Sequence, residues 1–328
     1  MLGPLAPKAR RRSLWNRAIM RNAVEGEFRG RPEIKRRVHL ETLRQFETAA
    51  PDRLPVSARV SPADRVVSSR GRMSSGGVLW LTGPAYVESL EQVLFSAELA
   101  NSLGLRFLRS RAQWPNARPE DSRRHLRSGL KLLASAARHF NLQIVAEVVA
   151  PGDIDLLLQY ADILEVPAER CGDLTLLQEL QHQGASILLH RSPLVGINSF
   201  LRYVEVVERG ASTVLLADNG IHSWDAGRRA SLDVAALAQL RRERPYPLLV
   251  NCTALAHDAQ DAESVALAAI AAGADGILAE ICPCTLKAVP GGVSAASLEG
   301  IVLRARALKS TLNAIEHHRL QTIHGGIR

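Results

Sequence analysis

The feature that most constrains the fold is an eightfold alternation, beyond residue 76, between short apolar runs and longer amphipathic stretches. Short runs that stay apolar throughout are typical of strands buried on both faces of a parallel sheet. Eight such strands, each followed by a helix, predict an α/β protein whose sheet closes into a (β/α)8 TIM barrel. The predicted strands are Val78–Thr82, Leu105–Arg109, Gln143–Val148, Asp162–Val166, Ser186–His190, Thr213–Ala217, Pro247–Cys252 and Gly276–Ile281.

The stretches between these runs carry apolar residues at helical spacing. Glycines and one asparagine stand where a helix has to end before the next strand begins, which supports this division. These residues are Gly104, Asn141, Gly184, Gly210 and Gly273. The predicted helices are Glu88–Ser102, Arg123–Asn141, Pro151–Gln159, Leu174–Gln183, Ile197–Arg209, Leu232–Arg242, Asp261–Ala272 and Ala295 to about His317.

The excess positive charge of the chain lies before the predicted barrel. Of the 41 Lys and Arg and the 33 Asp and Glu in 328 residues, 17 and 7 fall within residues 1–72. Such a basic segment is a solvated or partner-docking extension, a nucleic-acid-binding arm or a cleaved targeting peptide. We favour the docking extension and do not expect a nucleic-acid partner. Only Trp15, Phe28 and Phe46 are available there for stacking on bases.

Four segments follow from these patterns. Residues 1–53 form the basic extension, and within it Glu33–Thr48 has apolar residues at near-helical spacing, which predicts one amphipathic helix. Residues 54–76 are predicted to form a hairpin or extended segment, residues 77–317 the barrel and residues 318–328 a C-terminal tail. We expect the extension to bind a second copy of the chain or another protein.

The composition also bears on the cellular setting. No apolar run approaches the roughly 18 residues that a membrane-spanning helix needs, so no membrane association is expected. The four cysteines are too few and too irregularly spaced for a disulfide scaffold. These features predict a cytoplasmic protein.

Polar residues of both charge signs follow the predicted strands. Chemistry in a (β/α)8 barrel takes place at the carboxyl ends of the strands, so these residues predict a ligand site. Polar loops also occur there simply because they face water. The residues at the strand ends include Arg109, Glu147, Glu165, His190, Arg191, Asp218, Asn219, Asn251 and Glu280.

One strand end resembles a known family signature. The residues Gly83–Ser89 read GPAYVES, similar to the GPCSVES signature of the 3-deoxy-7-phosphoheptulonate (DAHP) synthases. The resemblance covers about residues 54–300 and extends to the 3-deoxy-manno-octulosonate-8-phosphate synthases, a sister family with the same barrel. It implies a metal-dependent, aldol-type condensation of phosphoenolpyruvate with erythrose 4-phosphate. Further similar segments are Leu108–Arg109, Gly129–Leu133, Tyr160–Leu164, Leu188–Arg191, Asn219–Ile221 and Ala271–Gly276.

Most metal ligands implied by this resemblance are replaced. Ala85 stands at the family's cysteine position and Ala254 at its histidine position. The acidic ligand falls near Gly291–Gly292, so Glu280 is the sole retained metal-ligand position. One carboxylate does not hold a transition metal at useful affinity, and we therefore expect no metal or other cofactor. A relocated thiolate site is the alternative, formed by Cys252, Cys282 and Cys284 together with Glu280 or His257.

The cations that the family uses to bind its two phosphorylated substrates are also largely replaced. Where the family has Lys-Pro-Arg in its second loop, this chain has Trp114–Asn116. Glu169 stands at the position of the fourth-strand phosphate arginine. His190 replaces the fifth-strand lysine, and Asn219 replaces the sixth-strand arginine. Arg109 is the one phosphoenolpyruvate-binding cation that the resemblance retains.

Two functions remain compatible with this pattern. In the first, a barrel that has lost the family reaction acts as a structural or regulatory partner. In the second, the chain is a repurposed enzyme of a shikimate-related or secondary-metabolite pathway, with metal-independent chemistry on a small, polar and less anionic substrate. Its candidate catalytic residues are His190, Glu147 and Asp218. Its candidate ligand-binding residues are Arg109, Arg118, Arg191, Asn219, Asn251 and Trp114.

Overall fold

The structure is a computed structural model and describes residues 77–112, 119–224, 230–244, 246–282 and 292–325. The predicted basic extension, residues 1–53, lies outside the described residues. The predicted hairpin, residues 54–76, also lies outside them. Both therefore stay predictions.

Eight parallel strands close into a barrel, which confirms the predicted fold class. Each predicted apolar run overlaps one of these strands, with ends that differ by no more than two residues. The barrel strands are β1 (Leu79–Pro84), β2 (Phe107–Ser110), β3 (Gln143–Glu147), β4 (Ile163–Val166), β5 (Ser186–Arg191), β6 (Thr213–Asp218), β9 (Leu248–Asn251) and β10 (Gly276–Ile281). The short strands β7 (Ile221–His222) and β8 (Ala230–Ser231) form a separate antiparallel pair. The barrel closes where β1 pairs with β10.

The helices alternate with the barrel strands. They are α1 (Leu90–Ser102), α2 (Pro119–His139), α3 (Ile154–Leu157), α4 (Leu174–Gln181), α5 (Ile197–Glu208), α6 (Val234–Glu243), α7 (Cys252–Leu255), α8 (Ala259–Ala271) and α9 (Ala295–Gly325). Side chains of Ser89, Asp173, Asp233 and Asp258 accept a backbone N–H at the start of α1, α4, α6 and α8. Such caps satisfy donors that the first turn leaves unpaired. Within the described ranges, no helix is long and apolar enough to cross a membrane.

Several elements differ from the sequence predictions. The stretch predicted as one helix over Pro151–Gln159 is a 3-10 turn, Pro151–Asp153, followed by the single turn of α3. The hairpin β7–β8 and the short helix α7 were not predicted, because two to four residues show no usable periodicity. The last helix continues to Gly325, past the expected end near His317. No glycine or proline interrupts the chain between those two residues.

Two apolar layers hold the barrel together. One lies between the strands and the surrounding helices and includes Trp80, Leu189, Phe200 and Leu216. The other fills the barrel interior with side chains from all eight strands, as alternation along a strand requires. The interior residues are Leu79, Leu81, Phe107, Val145, Ile163, Leu188, Leu215, Ala217, Leu249 and Leu278.

Gly83, near the end of β1, allows a close approach between neighbouring strands. A Cβ added there would collide with the main-chain carbonyl oxygen of Arg109 on β2. Backbone atoms cannot move aside as a side chain can, so we expect Gly83→Ala to lower the free energy of unfolding by about 2 kcal/mol. Denaturant unfolding measures this. Gly152→Ala is the matched control, because its Cβ would meet nothing within 4 Å. Equal effects of the two substitutions would contradict the prediction.

Candidate active site

Seven polar residues continue the inward-facing rows of the barrel at the carboxyl ends of the strands. Each lies two positions beyond an interior apolar residue, so the period of two along a strand turns it inward. We call these residues the mouth layer. They are Arg109, Glu147, Glu165, His190, Asn219, Asn251 and Glu280.

Arg109 is buried and makes several ion pairs of the mouth layer. Its Nε and Nη2 donate to the two carboxylate oxygens of Glu165, each at 2.7 Å. Its Nη1 donates to Oε1 of Glu280. Burial alone lowers the pKa of Arg109, but Glu165, Glu280 and Glu147 outweigh it and raise that pKa well above its ordinary value. The guanidinium is therefore charged and already bound to carboxylates of its own chain.

A second arginine, Arg111, lies two residues further along the same chain segment and is 31% exposed. Its Nη2 donates to Oε1 of Glu280 at 3.1 Å, and its Nε lies 3.1 Å from Oε2 of Glu147. Its Nη1 donates to the hydroxyl of Tyr86 at 2.7 Å, and the guanidinium carbon lies 5.0 Å from the centre of the Tyr86 ring. Arg111 therefore pairs with two carboxylates of the mouth layer and contributes one positive charge to them.

His190 lies between an amide and a carboxylate inside the barrel. Its Nδ1 is 3.1 Å from Oδ1 of Asn219, and its Nε2 is 3.0 Å from Oε1 of Glu165. The contact with Glu165 has the distance of an ion pair, although the direction of the ring N–H is poor for a hydrogen bond. Both ring nitrogens thus face oxygen atoms. The carboxylate in contact with His190 is that of Glu165.

The pKa shifts of two mouth-layer glutamates, Glu165 and Glu147, have opposite directions. Burial opposes the charge of Glu165, but Arg109 and His190 outweigh this effect and hold its pKa well below the usual range. For Glu147, burial comes first and the charge of Glu165 second, and together they raise its pKa despite Arg111, Arg109 and His190. Because its carboxylate is 15% exposed and has the raised pKa, Glu147 is the group best placed to exchange a proton with solvent.

Asp218 and Arg191 lie on the other side of the barrel wall. Each directly follows an inward-facing position, so each side chain turns away from the interior. Nε and Nη2 of Arg191 donate to the Asp218 carboxylate at 3.0 to 3.3 Å, and Nη2 also reaches Asp233 at 3.3 Å. Burial raises the pKa of Asp218 even with this partner present. Asp218 and Arg191, predicted to be catalytic and ligand-binding, therefore lie on a different face of the barrel strands from His190. Their roles stay predictions.

Asn251 and Thr253 have structural contacts. Asn251 Oδ1 accepts from the backbone N–H of Ala254 at 3.2 Å and caps α7. Thr253 Oγ1 accepts from the backbone N–H of Glu280 at 2.8 Å, which fixes the end of β10 beside that of β9. Trp114 and Arg118, predicted to bind a ligand, lie outside the described residues. Their roles stay predictions.

The metal implied by the resemblance does not fit the residues present. Ala85 and Ala254 offer no ligand atom. The carboxylate of Glu280, where an ion would bind, already accepts hydrogen bonds from the guanidinium groups of Arg109 and Arg111. Within the described ranges, no three His, Cys, Asp or Glu side chains come together as a metal site. Cys252 is buried among residues packed against the helices, and burial raises the pKa of its thiol. The alternative site also needs Cys284, which lies outside the described residues.

Arg111 and Glu165 are parts of the site that were not among the candidate catalytic or ligand-binding residues, although Glu165 was named as a strand-end residue. The sequence feature that identifies them is the alternation of side chains along a strand, in which every second residue faces the same side. Arg111 lies two residues after Arg109, and Glu165 lies two residues after the interior residue Ile163. Tyr86, the aromatic partner of Arg111, follows Ala85 in the GPAYVES segment and carries no signal of its own.

Comparison with known proteins places this site in a family. The model of the DAHP synthetase I family matches residues 70–309. The chain belongs to the DAHP synthetase I family. A phospho-2-dehydro-3-deoxyheptonate aldolase from Thermotoga maritima is 27% identical over 262 residues, which cover 79% of this chain and 78% of the relative. The resemblance stated from the strand ends is thereby confirmed.

Two further relatives agree with this assignment. A 2-dehydro-3-deoxyphosphooctonate aldolase from Alkalilimnicola ehrlichii is 25% identical over 255 residues, covering 72% of this chain and 90% of that protein. A crystal structure of the DAHP synthase from Thermotoga maritima superposes with a TM-score of 0.69 at 25% identity. That superposition covers 77% of this chain and 74% of the other. Family membership therefore extends over most of the barrel.

The lowered pKa of Glu165 predicts an acid-dependent loss of stability. A carboxylate with a lowered folded-state pKa stabilises the fold above its unfolded pKa, about 4.3 for Glu, and loses that contribution as the pH falls below it. We expect the stability difference between wild type and Glu165→Gln to be largest near pH 7 and to shrink in acid. Denaturant unfolding between pH 7 and pH 3 measures it. Glu205→Gln, at a half-exposed ion pair, is the control. A constant difference for Glu165→Gln would contradict the prediction.

Proposed function

We propose that this family member does not condense phosphoenolpyruvate with erythrose 4-phosphate and serves instead as a structural or regulatory partner. The observation that carries the proposal is the pairing of Glu280, the retained metal-ligand position, with the guanidinium groups of Arg109 and Arg111. A carboxylate held by two cations of its own chain is a poor ligand for a third cation.

The substrate side of the site supports the same proposal. Arg109, the retained phosphoenolpyruvate-binding cation, is engaged by Glu165 and Glu280. Binding an anionic substrate would require it to give up carboxylates that are themselves buried, and an unpaired buried charge is costly. His190 and Asn219, at two former cation positions, are hydrogen-bonded to each other. The positive charge needed to bind two phosphorylated substrates is thus reduced and partly neutralised.

A phosphate-release assay tests the proposed loss of the family reaction. The full chain is mixed with phosphoenolpyruvate, erythrose 4-phosphate and Mn²⁺, and the Thermotoga maritima relative serves as the positive control. We expect no release above the protein-free rate. Turnover in the usual enzymatic range, about 1–10³ per second, would overturn the proposal.

The partner role is assigned to the basic extension, residues 1–53. Its support is the charge distribution, because residues 1–72 hold 17 basic residues against 7 acidic ones, whereas the rest of the chain has a slight acidic excess. Replacing the four basic residues of Lys8–Arg12 by alanine in the full chain tests it. We expect sedimentation velocity to show a smaller assembly for the variant at low salt. Unchanged sedimentation would reject this segment as the contact.

A second function is favoured by one observation, the hydrogen bond between His190 and Asn219. Unlike lysine, histidine and asparagine side chains can accept as well as donate hydrogen bonds, so this pair suits hydroxyl or amide groups on a less anionic ligand. A thermal-shift screen of sugars, hydroxy acids and shikimate-pathway metabolites tests it. A ligand at 100 times its dissociation constant stabilises the fold by about 2.7 kcal/mol.

The controls of that screen separate the two functions. We expect His190→Ala to abolish any shift, whereas His182→Ala, on the exposed surface, should leave it unchanged. If no compound shifts the wild type, the ligand-binding function is rejected and the partner function stands. A shift that survives His190→Ala would also reject this site.

A further inference from the structure

Arg111 contacts two positions of the family's metal site, Ala85 at the cysteine position and Glu280 at the glutamate position. Its backbone N–H donates to the carbonyl oxygen of Ala85 at 3.2 Å, and its carbonyl oxygen accepts from the N–H of Val87 at 3.1 Å. Its guanidinium reaches Glu280 at 3.1 Å. The residue therefore extends from the former cysteine position, Ala85, to the retained glutamate position.

The charges around Arg111 are those that a bound cation would meet. Three carboxylates, from Glu147, Glu165 and Glu280, line this part of the mouth. Arg109 contacts all three but offsets only one of their three negative charges. With Arg111 the five groups carry a formal charge of −1, and without it they carry −2. The added guanidinium is fixed by contacts with Glu147, Glu280 and Tyr86.

We propose that Arg111 is a built-in cation that takes over the electrostatic role of the family's divalent metal ion. The proposal rests on the assignment of Glu280 as the former metal-ligand position and so deepens the proposed function. A guanidinium carries one charge, is always protonated and presents a planar fork to carboxylates. It stabilises the carboxylate of Glu280, the retained metal-ligand position, and it has no open coordination position for a substrate or water.

This role predicts that a variant without Arg111 gains affinity for divalent cations. In Arg111→Ala, Glu147 loses its nearest counter-charge, and Glu280 keeps only Arg109, which it shares with Glu165. Partly buried carboxylates without a counter-ion destabilise a fold and attract hard cations. We expect Tm to fall by about 2–4 °C in metal-free buffer. Saturating MnCl2 should restore a similar amount, while the wild type should show no metal-dependent shift.

Three variants make the test specific. Arg111→Lys keeps a cation at the site and should gain no Mn²⁺ dependence. The double variant Arg111→Ala/Glu280→Gln removes a carboxylate together with the cation, and should lose the Mn²⁺ response while being more stable than Arg111→Ala. Arg124→Ala, whose side chain is 74% exposed, is the matched arginine control and should behave as wild type. If Arg111→Ala does not fold, the double variant is expected to recover folding.

Differential scanning fluorimetry with and without MnCl2, and equilibrium dialysis of Mn²⁺, provide the measurements. Stoichiometric Mn²⁺ retained by Arg111→Ala and lost in the double variant supports the proposal. A wild type that binds Mn²⁺ as tightly as Arg111→Ala overturns it, and so does an Arg111→Ala variant that folds normally and binds none. Failure here leaves the phosphate-release result unaffected, because Ala85 and Ala254 still offer no ligands. Conversely, wild-type turnover would reject the proposed function whatever Arg111→Ala binds.

Discussion

Replacing Arg109 by methionine is expected to lower the free energy of unfolding by about 3–5 kcal/mol, among the largest effects of any single substitution in the barrel interior. Methionine keeps much of the side-chain length and removes the charge. Glu165 and Glu280, whose side chains are only 1% and 4% exposed, then lose a counter-ion that no solvent replaces. The measurement is equilibrium unfolding in urea or guanidinium chloride at pH 7, where these carboxylates carry their charge.

Two comparisons make that result interpretable. Arg124→Met removes an arginine whose ion pair with Asp121 is exposed, so a change within about 0.5 kcal/mol is expected. In Arg109→Met/Glu165→Gln the unpaired charge on Glu165 is gone, and the double variant should be less unstable than the sum of the two single variants. A loss below 1 kcal/mol for Arg109→Met would show that these ion pairs are not formed in solution.

Replacing Arg191 by methionine is expected to cost a similar amount, about 3–5 kcal/mol, for the same reason at a different place. This arginine is 3% exposed and pairs with Asp218 and Asp233 on the outer face of the barrel strands. Its Nη1 also donates to the carbonyl oxygen of Val195 at 3.2 Å. Removing the guanidinium leaves a buried carboxylate, a carboxylate at the start of α6 and a carbonyl oxygen without this donor.

The Arg191→Met prediction also separates a structural role from a ligand-binding one. If Arg191 served mainly to bind a ligand, its loss would leave the unfolding free energy of the ligand-free protein nearly unchanged. Arg304→Met is the control, since that arginine is 65% exposed in its pair with Glu263. Asp218→Asn should recover part of the stability lost in Arg191→Met, because it removes the buried charge left behind.

The barrel itself could be predicted from the sequence. A strand covered on both faces must be apolar along its whole length, and such runs are visible without knowledge of any partner. The ends of α6 and α9 were harder to predict. At α6 the helix starts two residues late because Asp233 caps it, and at α9 no helix-breaking residue comes before Gly325. Capping and the absence of a stop signal are local effects that periodicity does not report.

The pairing inside the mouth layer could not be predicted in the same way. Arg109 on β2 and Glu165 on β4 belong to strands that are not neighbours, so their contact depends on the closure of the barrel and on side-chain length. Asp218 and His190 share a predicted catalytic role because each ends a strand. The alternation of side chains along the strand separates them, since Asp218 directly follows the inward-facing Ala217 and so faces outward. Following the period of two to the very end of each strand would have found Glu165 and set Asp218 apart.

The measurement that tests the central claim most directly is isothermal titration of phosphoenolpyruvate into the full chain in the presence of Mn²⁺. If Arg109 and Glu280 are already bound to partners of their own chain, neither the substrate nor the metal finds its family site. We expect no saturable binding at concentrations up to about 1 mM, the upper end of common enzyme KM values. Saturable binding in the micromolar range that is lost in both Arg109→Met and Glu280→Gln would contradict the account.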